Sequence, residues 1–159
     1  MGNARHAELR LMVRRDMPEV LDIERHSFEW PWEEEDFQRQ LRGRNSWATI
    51  AEYEEQIVGY MVYELHKTLF NVVNFAVHPL HRREGIGRAM VDKLKGKLSM
   101  RRRHSITLKV CETNMDALLF FRAMGLNAVK VERNAYEHNN RDAYLMRYRY
   151  VSQLDEAMA

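Results

Sequence analysis

The sequence predicts a single mixed α/β domain over residues 1–159, and three observations carry that reading. Runs rich in β-branched and aromatic residues cluster in mid-chain, at Trp47–Tyr53, Ile57–Leu65 and Val72–Val77. Amphipathic helical patterns are interspersed with the strands rather than segregated from them. No repeat, low-complexity tract or Pro/Gly-rich linker divides the chain.

Taken in order, Leu9–Val13 predicts a first strand. Asp16 is the expected N-cap of a helix that has Pro18 and Glu19 in its first turn and continues through Val20, Leu21, Ile23 and Glu24. Glu29-Trp30-Pro31-Trp32 follows, then an acidic run from Glu33 to Asp36 that suits a helix N-terminus ending near Leu41. Trp30 and Trp32 either pack the junction between the two helices or form an apolar wall for a substrate. Glu54-Glu55-Gln56 separates two strands as a hairpin turn, and Val72–Val77 leads into the motif below. Beyond the next helix, Ser105–Cys111 reads as a strand. Thr113 or Asn114 caps a helix carrying Ala117, Leu118, Phe121 and Met124, which Gly125 stops. Asn127–Arg133 and Ala143–Tyr150 close the chain as strands around a polar loop.

The stretch that organises the chain is Asn74–Lys95. A strand passes through Pro79 into Arg82-x-x-Gly85-x-Gly87, and a helix opens there with Met90, Val91, Leu94 and Leu98 on its apolar face. Glycine lets a ligand approach the backbone, and the first N–H groups of a helix lack intrahelical partners. With the positive end of the helix dipole behind them, and Arg82, Arg83 and Arg88 around them, they suit phosphate or pyrophosphate. A P-loop is excluded because no Gly-Lys-Ser/Thr follows, and a Rossmann fingerprint because Met90 stands where its third glycine would. Coenzyme A is the remaining candidate.

Other chemistry is absent or weak. His78 and His81 flank a turn without completing a metal set, so no metal is expected. A net charge of +2 gives no global attraction for DNA or membrane. Cys111, alone, excludes an internal disulfide and fits a reducing compartment. There is no apolar run long enough to cross a bilayer and no signal-like N-terminus. Gly2 lacks the Ser or Thr at position 6 that myristoylation would want, so a cytoplasmic protein is expected.

Together these residues resemble the GNAT superfamily of acetyl-CoA-dependent N-acetyltransferases, over nearly the whole chain. The likeness is greatest to the RimI-like enzymes, which acetylate protein N-termini, including that of a small-subunit ribosomal protein. It implies a central, mostly antiparallel sheet of about seven strands flanked by about four helices. Phe75, Ala76 and Val77 would pair with the pantetheine arm, and Arg82, Arg83, Glu84, Gly85, Ile86, Gly87 and Arg88 would hold the pyrophosphate. Asn114 and Phe121 would complete the cofactor site. Trp30-Pro31-Trp32 resembles the aromatic-Pro-Trp substrate loop, and Arg133-Asn134-Ala135-Tyr136 the Arg-Asn-Tyr-Tyr segment that covers the peptide.

Three positions depart from the family pattern. Lys109 stands where RimI-like enzymes place a glutamate base, Phe121 where they place the tyrosine that protonates the leaving thiolate, and Ala135 replaces the first tyrosine of the covering segment. An ammonium with a reference pKa of ~10.4 is a poor base at neutral pH, and a phenyl ring donates nothing. The sequence therefore turns to Glu112 and Tyr136 for proton handling. The expected activity is direct acetyl transfer from acetyl-CoA to a peptide or protein N-terminus. The alternatives are a catalytically weak acyl-CoA-binding or regulatory protein on the same scaffold, or an acetyltransferase for a small-molecule amine. Oligomeric state stays open.

Overall fold

The computed structural model describes residues 6–151; Gly2 and the other terminal positions read above lie outside them. Seven strands lie in the order β1-β2-β3-β4-β5-β7-β6 in one sheet. The β1–β2, β2–β3, β5–β7 and β6–β7 ladders are antiparallel and the β4–β5 ladder is parallel. The described residues group into two compact units. One runs through residue 65 and resumes over 73–93; the other comprises 66–72 and the residues from 94 on.

In the first unit, β1 (Glu8–Leu11) pairs with β2 (Ser46–Tyr53), and β2 with β3 (Gln56–Leu65). The hairpin turn places Glu54 and Glu55 at φ 50° and 64°, the doubly left-handed geometry whose twist matches that of the flanking strands. Strand β1 stops two residues short of expectation because Val13 donates its N–H to Asp16 Oδ2 at 2.7 Å and opens a short 3-10 turn. Asp16 does precede α1 (Met17–Ser27), but its side chain makes no capping bond to that helix. Instead Arg10 Nη1 and Nη2 donate to its two oxygens at 2.8 and 2.9 Å, while Arg10 Nε reaches Glu52 at 2.7 Å. Helix α2 (Glu34–Leu41) starts as the acidic run predicts, with the Glu33 N–H on Asp36 Oδ2 at 2.8 Å. Val20, Leu21 and Ile23 of α1 and Phe37 of α2 bury against Ile50, Ile57, Tyr60, Val62 and Ala76 of the strands. Full burial of side chains this size stabilises by about 1.5–3 kcal/mol each before entropy is counted.

In the second unit, the first part of β4 (Leu69–Val77) pairs in parallel with β5 (Ser105–Cys111), from Leu69↔Ser105 to Val72↔Leu108. Strand β4 thus begins earlier than its own residues predict, because that pairing extends it backwards. Strand β7 (Ala143–Arg149) lies between β5 and β6 (Asn127–Glu132). Helix α3 (Ile86–Lys95) ends before Leu98, which is nevertheless buried through the turn that follows. Helix α4 (Met115–Ala123) is capped by Asn114, whose Oδ1 accepts the Ala117 N–H at 3.2 Å. Gly125, at φ 93°, ends it as expected, and the Lys95 ammonium sits 4.3 Å over the Tyr148 ring and donates to the Met124 carbonyl.

Candidate functional site

Within the first unit, β4 continues through Phe75, Ala76 and Val77, beyond the end of the β5 ladder at Val72. His78 caps the short turn that follows, its Nδ1 accepting the Leu80 N–H at 3.1 Å. His81 Nδ1 and Glu84 Oε2, 3.2 Å apart, brace the next loop. Arg83 (φ 63°) and Gly85 (φ 84°) are both left-handed, a geometry that turns backbone N–H groups outward. The Gly85 carbonyl accepts the Ala89 N–H at 3.0 Å, so the amides at the start of α3 are the ones without intrahelical partners. Arg82, Arg83 and Arg88 are exposed around them. The predicted anion-binding turn is thus assembled from one continuous stretch of chain.

Gly59 on β3 is the residue that the sequence reading missed here. A Cβ at Gly59 would stand 3.2 Å from the Ala76 carbonyl oxygen, 3.2 Å from Met90 Cε and 3.3 Å from Ile86 Cγ2. Its bare Cα therefore lets β4 and the first turn of α3 lie close over β3. The available signal was a lone glycine inside the apolar run Ile57–Tyr63.

Trp30 and Trp32 take different roles. Trp30 is 54% exposed, whereas Trp32 packs edge-on against Phe37 with ring centroids 5.0 Å apart. The Trp32 N–H donates to Glu24 Oε1 at 2.9 Å. Glu24 Oε2 accepts from Asn74 Nδ2 at 2.9 Å and from the Tyr60 hydroxyl, and Asn74 Oδ1 accepts the Phe75 N–H at 2.9 Å. Glu24 is 1% exposed, and burial pushes its carboxyl above the ordinary carboxylate range. The signal was an acid on the apolar stripe of α1.

In the second unit, Lys109 points from β5 to Glu132 on β6, Nζ to Oε2 2.8 Å. The strand register explains the meeting: Cys111 and Glu132 both pair with Ala143 of β7, which places Glu132 on the face shared by Cys111 and Lys109. Tyr136 is half-buried, and its phenol is pushed up chiefly by burial, then by Cys111 and Glu132. Glu112 is exposed. Phe121 is buried against Phe120, with centroids 4.9 Å apart. Because Asn114 Oδ1 is engaged in capping α4, its Nδ2 is the group that could reach a ligand.

The sequence model of the Acetyltransferase (GNAT) family matches residues 17–126, a span that runs from α1 through the Arg82–Arg88 turn to just past the end of α4. The chain belongs to the acetyltransferase (GNAT) family. Among curated relatives, this GNAT protein is 27% identical over 124 residues to the [ribosomal protein bS18]-alanine N-acetyltransferase of Escherichia coli strain K12, covering 76% of this chain and 81% of that one. Its fold is that of the crystal structure of the ribosomal-protein-S18-alanine N-acetyltransferase from Escherichia coli, with a TM-score of 0.81 at 22% identity, over 92% of this chain and 96% of that one. The Arabidopsis thaliana NAA60 structure in complex with acetyl-CoA superposes with a TM-score of 0.78 at 18% identity, over 90% and 99% of the two chains. The acyl donor of a GNAT enzyme carries a pyrophosphate, and the turn suits one. Beyond its own chain neighbours, no atom lies within 4 Å of where a Cβ on Gly85 would stand, so the space there is open.

Proposed function

We propose that this chain transfers the acetyl group of acetyl-CoA to the α-amine at a protein N-terminus, with a ribosomal protein as the acceptor type. The observation that carries the reading is the run of β4 past its β5 ladder into a turn with two left-handed residues and an open helix start, in a chain of the GNAT family. Acetyl-CoA supplies an activated thioester. Phe75–Val77 offer it an extended backbone, Arg82–Arg88 the counter-charge and amides for its pyrophosphate, and Asn114 an amide donor for its arm. The N–H groups at the end of β4 are suitable donors for negative charge developing on the thioester oxygen. Trp30, Pro31, Trp32 and Tyr136 bind the acceptor peptide.

Proton handling follows from the residues present. Lys109 is ion-paired with Glu132, so we take Glu132, rather than Glu112, as the carboxylate beside the family's base position. Tyr136, with its phenol pushed up, remains protonated at neutral pH and can donate to the departing sulfur in place of Phe121. An α-amine has a reference pKa of ~7.7–8.0, so a substantial fraction is already neutral and asks little of a base; a lysine amine at ~10.4 asks far more. Holding amine and thioester together supplies up to roughly 7–11 kcal/mol of the barrier without any side-chain chemistry. A ribosomal acceptor would place the reaction in the cytoplasm, and no helix among the described residues is long and apolar enough to cross a membrane.

The test is acetyl transfer from acetyl-CoA to N-terminal peptides, lysine-containing peptides with blocked N-termini, and polyamines, beside calorimetric binding of acetyl-CoA. Transfer confined to free N-termini is expected. Lys109 and Phe121 favour a second reading, a catalytically weak acyl-CoA-binding protein. Tight acetyl-CoA binding with no transfer to any amine would establish it in place of the first.

A further inference from the structure

Glu24 is almost fully buried and bonded to donors from three separate segments of the chain, and nothing in the reaction above uses it. Its place on α1 is an apolar one, since Val20, Leu21 and Ile23 share the buried side. A leucine there would pack without the cost of taking a charge out of water. The carboxylate instead meets a donor set that only an acceptor can satisfy: the Trp32 N–H on Oε1, and the Asn74 amide and Tyr60 hydroxyl on Oε2. Two of these donors belong to segments with opposite tasks. Trp32 is in the segment read as binding the acceptor. Asn74 is on β4, and its Oδ1 holds the Phe75 N–H at the start of the segment read as facing the acetyl donor.

We propose that Glu24 is a positioning residue for acetyl transfer: one buried carboxylate fixes the Trp30–Trp32 segment to β4, so that the acceptor is held at a set distance from the thioester. This rests on the acetyltransferase reading above. Among the described residues the Trp32 N–H bonds to Glu24 alone, so that bond ties the segment to α1. Burial and the nearby Asp36 disfavour the charge, while the Trp32 and Asn74 donors favour it. The charged form is the one that matches all three donors. A small displacement of a reactant forfeits much of the gain from holding two groups together, so the clamp acts on rate without touching either substrate.

Glu24→Gln is close to isosteric but turns an amide donor toward the Asn74 donor. Pairing it with Asn74→Asp restores an acceptor opposite a donor while keeping one negative charge at the site. In Glu24→Gln, kcat/KM for the acceptor peptide is expected to fall by about ten- to a hundredfold, the loss typical of a hydrogen bond to a charged group. Acetyl-CoA affinity should change less than about threefold. The double variant should recover most of the acceptor loss, which a change in fold stability alone would not produce. Equal losses for acceptor and acetyl-CoA, or no recovery in the double variant, would overturn the proposal. Hydrogen exchange at the Trp32 amide reads the clamp without turnover. Exchange should be slow in the wild type and faster by about tenfold or more in Glu24→Gln. If the wild type acetylates no amine, the functional reading fails, and unchanged Trp32 exchange would separately refute the clamp.

Discussion

Replacing Gly59 by alanine adds a single methyl group, and the structure says what that group would meet. Its three nearest neighbours would lie at 3.2, 3.2 and 3.3 Å, against an optimum of about 3.5–4.0 Å for non-bonded heavy atoms. Met90 Cε is the end of a flexible side chain and can withdraw. Ile86 is β-branched and stiff at χ1, and the Ala76 oxygen belongs to the backbone of β4, so both relieve the contact only by moving their elements by about 0.2–0.5 Å. Overpacking of this kind costs about 1–3 kcal/mol. Alanine returns about 0.5–1 kcal/mol through its smaller entropy loss on folding. The net cost is about 0–2.5 kcal/mol, which for a chain of this length lowers Tm by up to roughly 10 °C. The displaced groups, the Ala76 carbonyl and the first residue of α3, belong to the proposed acetyl-donor site, so acetyl-CoA affinity should also fall by about threefold to tenfold. Thermal unfolding followed by far-UV circular dichroism and titration calorimetry with acetyl-CoA measure the two effects. An unchanged or raised Tm together with unchanged affinity would show that β4 and α3 do not rest on the bare Cα of residue 59.

Three further outcomes are expected. Asp16 is buried, and the Arg10 guanidinium holds its carboxyl below the usual range, so its stabilisation is fully present above the unfolded pKa of about 3.9 and is lost as pH falls through the lower native value. Asp16→Asn should cost about 1–3 kcal/mol at pH 7 in urea unfolding and flatten the acid limb of stability; an unaltered acid limb would contradict this. Tyr136→Phe should lower kcat by about ten- to a hundredfold with little change in acetyl-CoA binding, and a kcat equal to the wild type would remove Tyr136 from proton handling. Lys109→Glu alone breaks an ion pair whose lysine side chain is 53% exposed, so its stability cost should stay within about 1 kcal/mol. Combined with Phe121→Tyr it should raise kcat in steady-state assays; no rise would mean that the chain's proton chemistry does not run from those two positions.

The segment Asn74–Lys95 was legible because every part of it is local: alternation, a proline, two glycines and a helical stripe occur in sequence. Strand β4 began three residues before its predicted start because Leu69–Asn71 pair with Ser105–Thr107, a partnership that a local pattern does not display. Asp16 marked a helix start correctly, yet its side chain was recruited by Arg10 from the neighbouring strand. Glu24 reads as an ordinary helical glutamate in sequence, and its donors lie 8, 36 and 50 residues away. Glu132 acquires its place beside Lys109 only once β7 lies between β5 and β6. Apart from the close approach at Gly59, what escaped the sequence was a hydrogen-bonding or charged group whose partner is supplied by another element, whereas periodicity reports apolar faces and turns.

The three tryptophans, Trp30, Trp32 and Trp47, all fall in the first unit. Indole emission is therefore blind to the unit that carries Lys109, Glu132 and Tyr136, which is left with tyrosine as its ultraviolet reporter. An unfolding curve taken from tryptophan fluorescence would track only half of the molecule. If the second unit opened first, that curve would stay flat while backbone dichroism already changed. Within the half it sees, it is well placed: Trp32, partly buried against Phe37, and Trp30, largely open to water, should differ in emission maximum and quenching. An acceptor peptide that covered Trp30 would then be visible by shielding from iodide, with no label attached.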